Sequence, residues 1–273
     1  TVPETGLTAF GLQFEQRLNL SYADRDGSPL PPLWLRNAEF KAGASFADAH
    51  LSRLDLEDSR SDAAIDLNRA RVLADAWLDR LTVSGGLSLM GAEIGGQLTL
   101  EGAGLKGAVD EHGRVTGHAL SADGAVIKGD VFCGPADGQR FEAEGMVRLP
   151  GAEIGGDLSL GGASLKGTMD ENGRIIGYAL SADGAVIKGY VFCRPADGYR
   201  FEAEGEVRLL GAEIGGDLSL RGASLKGAMD EHGHVTGHAL SADREVVMGG
   251  IYSRSADGQR SESEGEVRLL GAE

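Results

Sequence analysis

One long block recurs almost unchanged along this chain, with a period of 60. Gly91-Ala-Glu-Ile-Gly-Gly96 returns at Gly151 to Gly156 and again at Gly211 to Gly216, and a fourth copy begins at Gly271. Residues 91–150 and 151–210 differ at 15 positions, as expected of a recent duplication. Near-identical neighbours must fold alike, and the fold must be one in which a unit stacks on a copy of itself.

Each copy has a finer grain. Leu87-x-Leu89-x-Gly91-Ala-x-Ile94 is followed, eleven positions on, by Leu98-x-Leu100-x-Gly102-Ala-x-Leu105, then by Leu120-x-Ala122-x-Gly124-Ala-x-Ile127 and Val131-x-Cys133. The next copy starts its modules at Val147, Leu158, Leu180 and Val191, with Val207 opening the one after. Spacings of 11, 22, 11 and 16 complete the period. Two short modules thus alternate with two that carry insertions of about 11 and 5 residues.

Apolar and polar residues alternating over three or four positions read as a strand. The glycine after each strand supplies a corner. A single short module buries too little to offset an ordering cost of roughly 1–2 kcal/mol per residue, so coils must stack and share a column of inward side chains. The expected fold class is all-β: a right-handed parallel β-helix with two modules per coil and about two coils per 60-residue repeat.

Residues 35–90 keep a looser version of this rule. Ala38/Phe40, Ala44/Phe46, Ala49/Leu51 and Ala70/Val72 set a small residue two before a large one. Phe46, Leu51 and Leu56 are five apart, as are Leu67, Val72 and Trp77, a spacing that scatters residues around a helix. An amphipathic helix over 63–81 is the competing reading. The expected organisation is one continuous solenoid. Residues 1–34 form a cap or irregular lead-in and 35–90 divergent coils. Units 91–150, 151–210 and 211–270 then follow, with the start of a fourth.

Composition narrows the function classes. The chain has 43 Gly, 7 Pro and 5% aromatics, so its core is aliphatic and alanine-based. A formal charge of −16 disfavours direct nucleic-acid binding, which needs Lys and Arg to displace counterions. It favours a partner with a basic surface, or simply keeps a repetitive chain dissolved. No secretory signal or long apolar run is visible, so a cytoplasmic chain is expected. The first residue is Thr1 and the last repeat stops at Glu273, which reads as a fragment. Membrane association would come from segments outside it.

The Ala-x-Leu/Phe steps at intervals of five resemble pentapeptide-repeat proteins. The string Phe201-Glu-Ala-Glu-Gly-Glu-Val-Arg-Leu-Leu-Gly-Ala-Glu-Ile-Gly-Gly-Asp-Leu218 resembles long bacterial repeat proteins often labelled "membrane-associated oxidoreductase". That resemblance covers roughly residues 35–273 and implies a β-helix. Its label implies a redox site. A dinucleotide fingerprint needs G-x-G-x-x-G between a strand and a helix, whereas Gly91-x-x-x-Gly95-Gly96 runs into strand residues, and there is no CxxC. No cofactor and no enzyme activity are therefore expected. The Ile154-Gly-Gly-Asp-Leu158 and Ile127-Lys-Gly-Asp-Val131 steps resemble those of bactofilins, which implies end-to-end self-assembly. Some pentapeptide-repeat proteins mimic DNA for topoisomerases, which implies a stripe of carboxylates along one face.

Candidate site residues are few. Asp110-Glu111, Asp170-Glu171 and Asp230-Glu231 lie at one place in the long insertions, within Asp-x-x-Gly turns of expected hairpins. They offer a ladder of acidic loops for a protein partner, or they are ordinary turn chemistry. His112 and His118 recur as His232 and His238 beside His234, but Asn172 and Tyr178 replace them in the middle copy, against a metal site. Cys133 and Cys193 should lie inward and ~10 Å apart, two coils at about 4.8 Å each, too far for a disulfide. Phe141 and Phe201 become Ser261, so 244–273 should be the loosest stretch. The leading expectation is a non-enzymatic structural or protein-interaction solenoid. The alternatives are a self-assembling polymer, an acidic DNA mimic and, last, an oxidoreductase.

Overall fold

The computed structural model describes residues 6–24, 26–230, 232, 234–244, 246–256 and 258–269. The chain is an all-β parallel solenoid with four sides, visited in fixed order. Among the described residues, side 1 holds ten strands, from Leu7–Phe10 to Ile251–Tyr252. Side 2 holds ten, from Gln13–Phe14 to Glu262–Glu264, and side 3 ten, from Leu18–Asn19 to Glu266–Arg268. Side 4 holds eight, from His50–Leu51 to Val246–Val247. Every strand pairs in parallel with the strand one coil away on its own side. On side 1 the register runs through Leu98, Val131, Leu158, Val191 and Leu218. The numbering rises by 33, 27, 33 and 27 in turn, so one period of the sequence makes two coils.

Among the described residues there is no helix, and so none long and apolar enough to cross a membrane. The helical reading of 63–81 fails: this stretch holds the strands Ile65–Asp66, Arg71–Val72 and Ala76–Trp77 on sides 3, 4 and 1. Within 1–34, Leu7–Phe10, Gln13–Phe14 and Leu18–Asn19 pair with Leu33–Arg36, Glu39–Phe40 and Ala44–Ser45.

Each module supplies two sides, and the residues flanking each outward position turn in. Phe40, Phe46, Leu51, Leu56, Phe141 and Phe201 are wholly buried in one continuous core. Trp77 departs from the expected series. The turn from Val72 to side 1 is one residue longer than the turn from Leu51, because Ala76, not Asp75, pairs with Leu54. With a side-chain period of two, one extra residue sends Ala76 and Leu78 inward and Trp77 outward.

The Gly-Asp steps are coil-to-coil staples. Asp130 Oδ1 accepts the Asp157 N–H at 2.7 Å, Asp157 Oδ1 that of Tyr190 at 2.8 Å, and Asp217 Oδ1 that of Gly250 at 2.8 Å. Each carboxylate lies over the glycine of the next coil: a Cβ on Gly156, Gly189 or Gly249 would overlap that Oδ1. The Gly-Asp pair is therefore a packing requirement between neighbouring coils.

Candidate interaction surfaces

In the repeat units the insertions occupy two corners and leave the other two plain. The long one forms a hairpin between sides 2 and 3 in every second coil, closed by antiparallel bridges Val109–Val115, Met169–Ile175 and Met229–Val235. The short one is a tight turn between sides 1 and 2 in the other coils, bridged at Ala136–Gln139, Ala196–Tyr199 and Ala256–Gln259. Successive hairpins stack: the Met169 N–H donates to Val115 O at 2.9 Å, and Met229 N–H to Ile175 O at 2.9 Å. A hairpin is two strands thick and so spans two strand spacings, about 9.6 Å. Two coils rise by the same amount, so a hairpin fits at this corner only in alternate coils. Gly145, at φ 108°, passes under the hairpin base where a Cβ would lie 2.5 Å from Gly117 O.

The short turns are tied together by arginine. Arg140 donates to Gly162 O at 3.0 Å, to Ala163 O and Arg200 O at 2.8 Å, and to Glu202 at 2.9 Å. Arg200 repeats the pattern onto Gly222 O, Ala223 O, Arg260 O and Glu262. Each guanidinium fills the coil that lacks a short turn and reaches the next coil that has one.

The hairpin carboxylates divide by role. Asp110 Oδ1 accepts the N–H groups of His112 and Arg114, and Oδ2 pairs with the Arg114 guanidinium at 2.6 Å. Asp170 does the same with Asn172 and Arg174. These bonds, the arginine first, hold both carboxyls at a pKa of about 2. Asp230 has His234 in place of arginine; chiefly through the His234 N–H, its pKa is lowered as well. These aspartates close the turn. Glu111 projects from the tip, with His112 Nε2 at 3.6 Å, and Glu171 is exposed in the same place. Glu231 lies outside the described residues.

The other singled-out residues stay apart. His112 is on a hairpin tip and His118 on side 3, where burial and Arg148 lower its pKa. Among the described residues no three His, Cys, Asp or Glu side chains gather as a metal would require. Cys133 and Cys193 are free thiols buried behind side 1; burial pushes Cys133 far up and Cys193 up to about 12. Both stay protonated and inert at neutral pH.

Two sides carry ordered outward columns that sequence reading missed. On side 1 the outward position runs Trp34, Asp55, Trp77, Thr99, Phe132, Ser159, Phe192, Ser219, Tyr252: an aromatic ring at every second coil from Trp77 on. Arginines lie over several rings, Arg53 at 4.4 Å from Trp77, Arg194 at 4.6 Å from Phe192 and Arg221 at 4.7 Å from Tyr252. At the corner beyond, burial raises the pKa of Glu57, Asp79 and Glu101.

Side 4 carries two columns. The first runs Glu93, Val126, Glu153, Val186, Glu213, Val246. The second, two positions on, runs Gly95, Lys128, Gly155, Lys188, Gly215, Met248. Shallow hollows of about 440 and 270 Å³ lie over Gly95 and Gly215. Comparison of the chain with family models, with curated proteins and with solved structures returns no match.

Proposed function

We propose that this chain is a non-enzymatic protein-interaction scaffold, a rod that offers the same surface at every second coil. One observation carries the reading. The outward residues of sides 1 and 4 repeat at a fixed two-coil interval, while every insertion of the repeat units is confined to the two corners flanking side 2. A surface built this way presents several equivalent contact points in a line, and partners engaging more than one gain from effective concentration. The hairpin aspartates support the scaffold by closing their turns, which leaves Glu111 and Glu171 as the acidic residues a basic partner would meet.

The test is site-specific photo-crosslinking in cells that make the protein. Crosslinker is placed on side 4 at Lys128 and Lys188, on side 1 at Ser159, and on a tip at Glu171. The scaffold reading predicts discrete protein adducts, with the same adduct from Lys128 and Lys188, which are one repeat apart. Absence of protein adducts from every one of these positions would contradict it.

A further inference from the structure

Side 4 and side 2 use the same charged residue types in different ways. On side 2 lysine and glutamate share a column, so they meet in neighbouring coils: Lys106 pairs with Glu144 at 2.9 Å and Lys226 with Glu264 at 3.5 Å. On side 3 the arginines pair with aspartates one coil away, Arg148 with Asp123 at 2.5 Å and Arg208 with Asp183 at 2.8 Å. Side 4 pairs Arg71 with Glu93 at 3.4 Å in its first column, but from Lys128 on it separates its charges. Glutamate occupies the first column in one set of coils, and lysine the second column in the other set. Neighbouring Glu and Lys are then a full coil and two positions apart, about 8 Å along the diagonal, rather than directly opposite each other. Among the described residues, Glu153, Glu213, Lys128 and Lys188 are exposed and take part in no ion pair.

From this arrangement we propose that side 4 is a self-association surface whose partner is side 4 of a second copy, the two rods lying side by side and pointing the same way. The proposal deepens the scaffold reading by naming the partner. A half-turn of one rod about an axis parallel to its length brings the first column of each copy onto the second column of the other. The large residue of one then faces the small residue of the other. Glu213 of one copy enters the hollow over Gly215 of its partner, and Lys188 covers Val186. Within each shared column a lysine from one rod falls between glutamates of the other, one coil away, offset by about 4.8 Å along the rod. The opposite, antiparallel arrangement would set glutamate columns on each other, and like charges in contact exclude it.

Each column also needs its glycines. A Cβ on Gly95, Gly155 or Gly215 would overlap the carbonyl oxygen of Leu73, Lys128 or Lys188 in the preceding coil. The close approach of coils thus keeps these positions free of side chains. In the first coil the chain from Leu18 to Leu30 is five residues longer than its partner stretch from Ala44 to Leu51, but beyond that coil no insertion stands on the two corners that border side 4, so a second rod can approach along the repeat units. The contact is narrow and rich in charge. It is therefore a weak, salt-sensitive pairing that strengthens with the number of repeats in register.

The test is sedimentation equilibrium of the purified chain across a hundredfold concentration range, at low and high salt. The expected result is a monomer–dimer equilibrium weakened at least tenfold by high salt. Lys128→Glu with Lys188→Glu, or Glu153→Lys with Glu213→Lys, should each leave monomers at every concentration. Mixing the two charge-reversed chains should restore a heterodimer, and unchanged circular dichroism would confirm that each variant still folds. A wild-type chain monomeric throughout, or a dimer indifferent to either reversal, would overturn the proposal. Crosslinks from Lys128 and Lys188 to some other protein would overturn it while leaving the scaffold reading standing, whereas no protein adduct at all would remove both.

Discussion

Between Leu33 and Leu98 the coils are short: the side 1 partners Leu33, Leu54, Ala76 and Leu98 are numbered 21, 22 and 22 apart. Beyond Leu98 the interval alternates between 33 and 27. The inward column is the same in both regions. All of the added chain is spent at two corners, as hairpins on one and tight turns on the other. A solenoid accepts extra chain at a corner if the insert has the thickness of a whole number of coils. Here the hairpin is two strands thick, and that alone is enough to convert a one-coil period into a two-coil one. The plain coils show what the fold needs, and the elaborated coils show what it tolerates.

One corner of the rod and the hairpins hold their carboxylates in opposite ways. Glu57, Asp79 and Glu101 line one corner of three successive coils and are raised by burial. Asp110 and Asp170 in the hairpins are lowered to about 2 by arginine and backbone donors.

The comparison breaks most visibly in the core. Phe201→Ala should cost about 3–5 kcal/mol, read as a shift of the urea midpoint, because the ring is wholly buried between coils. Its repeat equivalent Ser261 lines a hollow of about 230 Å³ with Leu220 and Leu225, so hydrogen exchange should be faster over 246–269 than over 186–209. Equal rates would show that the phenylalanine does not govern local stability.

Next in size is Arg140→Ala, which removes donors to three carbonyls and should cost about 2 kcal/mol. Lys41→Ala in the plain coils, an exposed pair with Glu39 and Asp62, should change the urea midpoint by less than a quarter of that shift.

The pH responses should have opposite signs. The hairpin carboxyls have folded values below their unfolded ones near 4, so their contribution is complete above pH 4 and lost as pH falls through about 2. Amide exchange at His112, Arg114, Asn172 and Arg174 should therefore rise in that window. The raised carboxyls bind protons more tightly in the folded state, so mild acid should steady the Glu57–Glu101 corner before the hairpins open. A common direction for that corner and the hairpins would contradict these assignments.

The smallest effect belongs to the tips. Glu171→Gln should leave stability unchanged within about 0.5 kcal/mol, because its side chain is exposed beyond the turn.

Much of the fold was legible because its rules are local. Leu87-x-Leu89 followed by Gly91 states a strand and a corner in one short phrase, and the copying of that phrase states the stack. The Asp-x-x-Gly hairpins were legible for the same reason. The outward facing of Trp77 was not legible, because one additional residue at a corner reverses facing and no residue type marks that addition. The columns of sides 1 and 4 were hidden for a different reason. Phe132 and Ser159, or Lys128 and Gly155, are neighbours only across a coil and stand far from each other along the chain. Which positions turn outward together depends on the lengths of both insertions, and a surface pattern emerges only once these are folded away at the corners.

The central claim is that each repeat unit adds two complete coils and nothing else. Arg60→Cys and Ser224→Cys place labels on side 2, with six coil steps between them through Thr82–Ser84, Gly104–Lys106, Glu142–Glu144, Ser164–Lys166 and Glu202–Glu204. The buried thiols of Cys133 and Cys193 stay unlabelled. Spin-label distances should centre near ~29 Å, at about 4.8 Å per coil, and fall to ~19 Å when residues 151–210 are deleted. A distance that does not shorten by about two coils, or a deletion that unfolds the chain, would contradict the account.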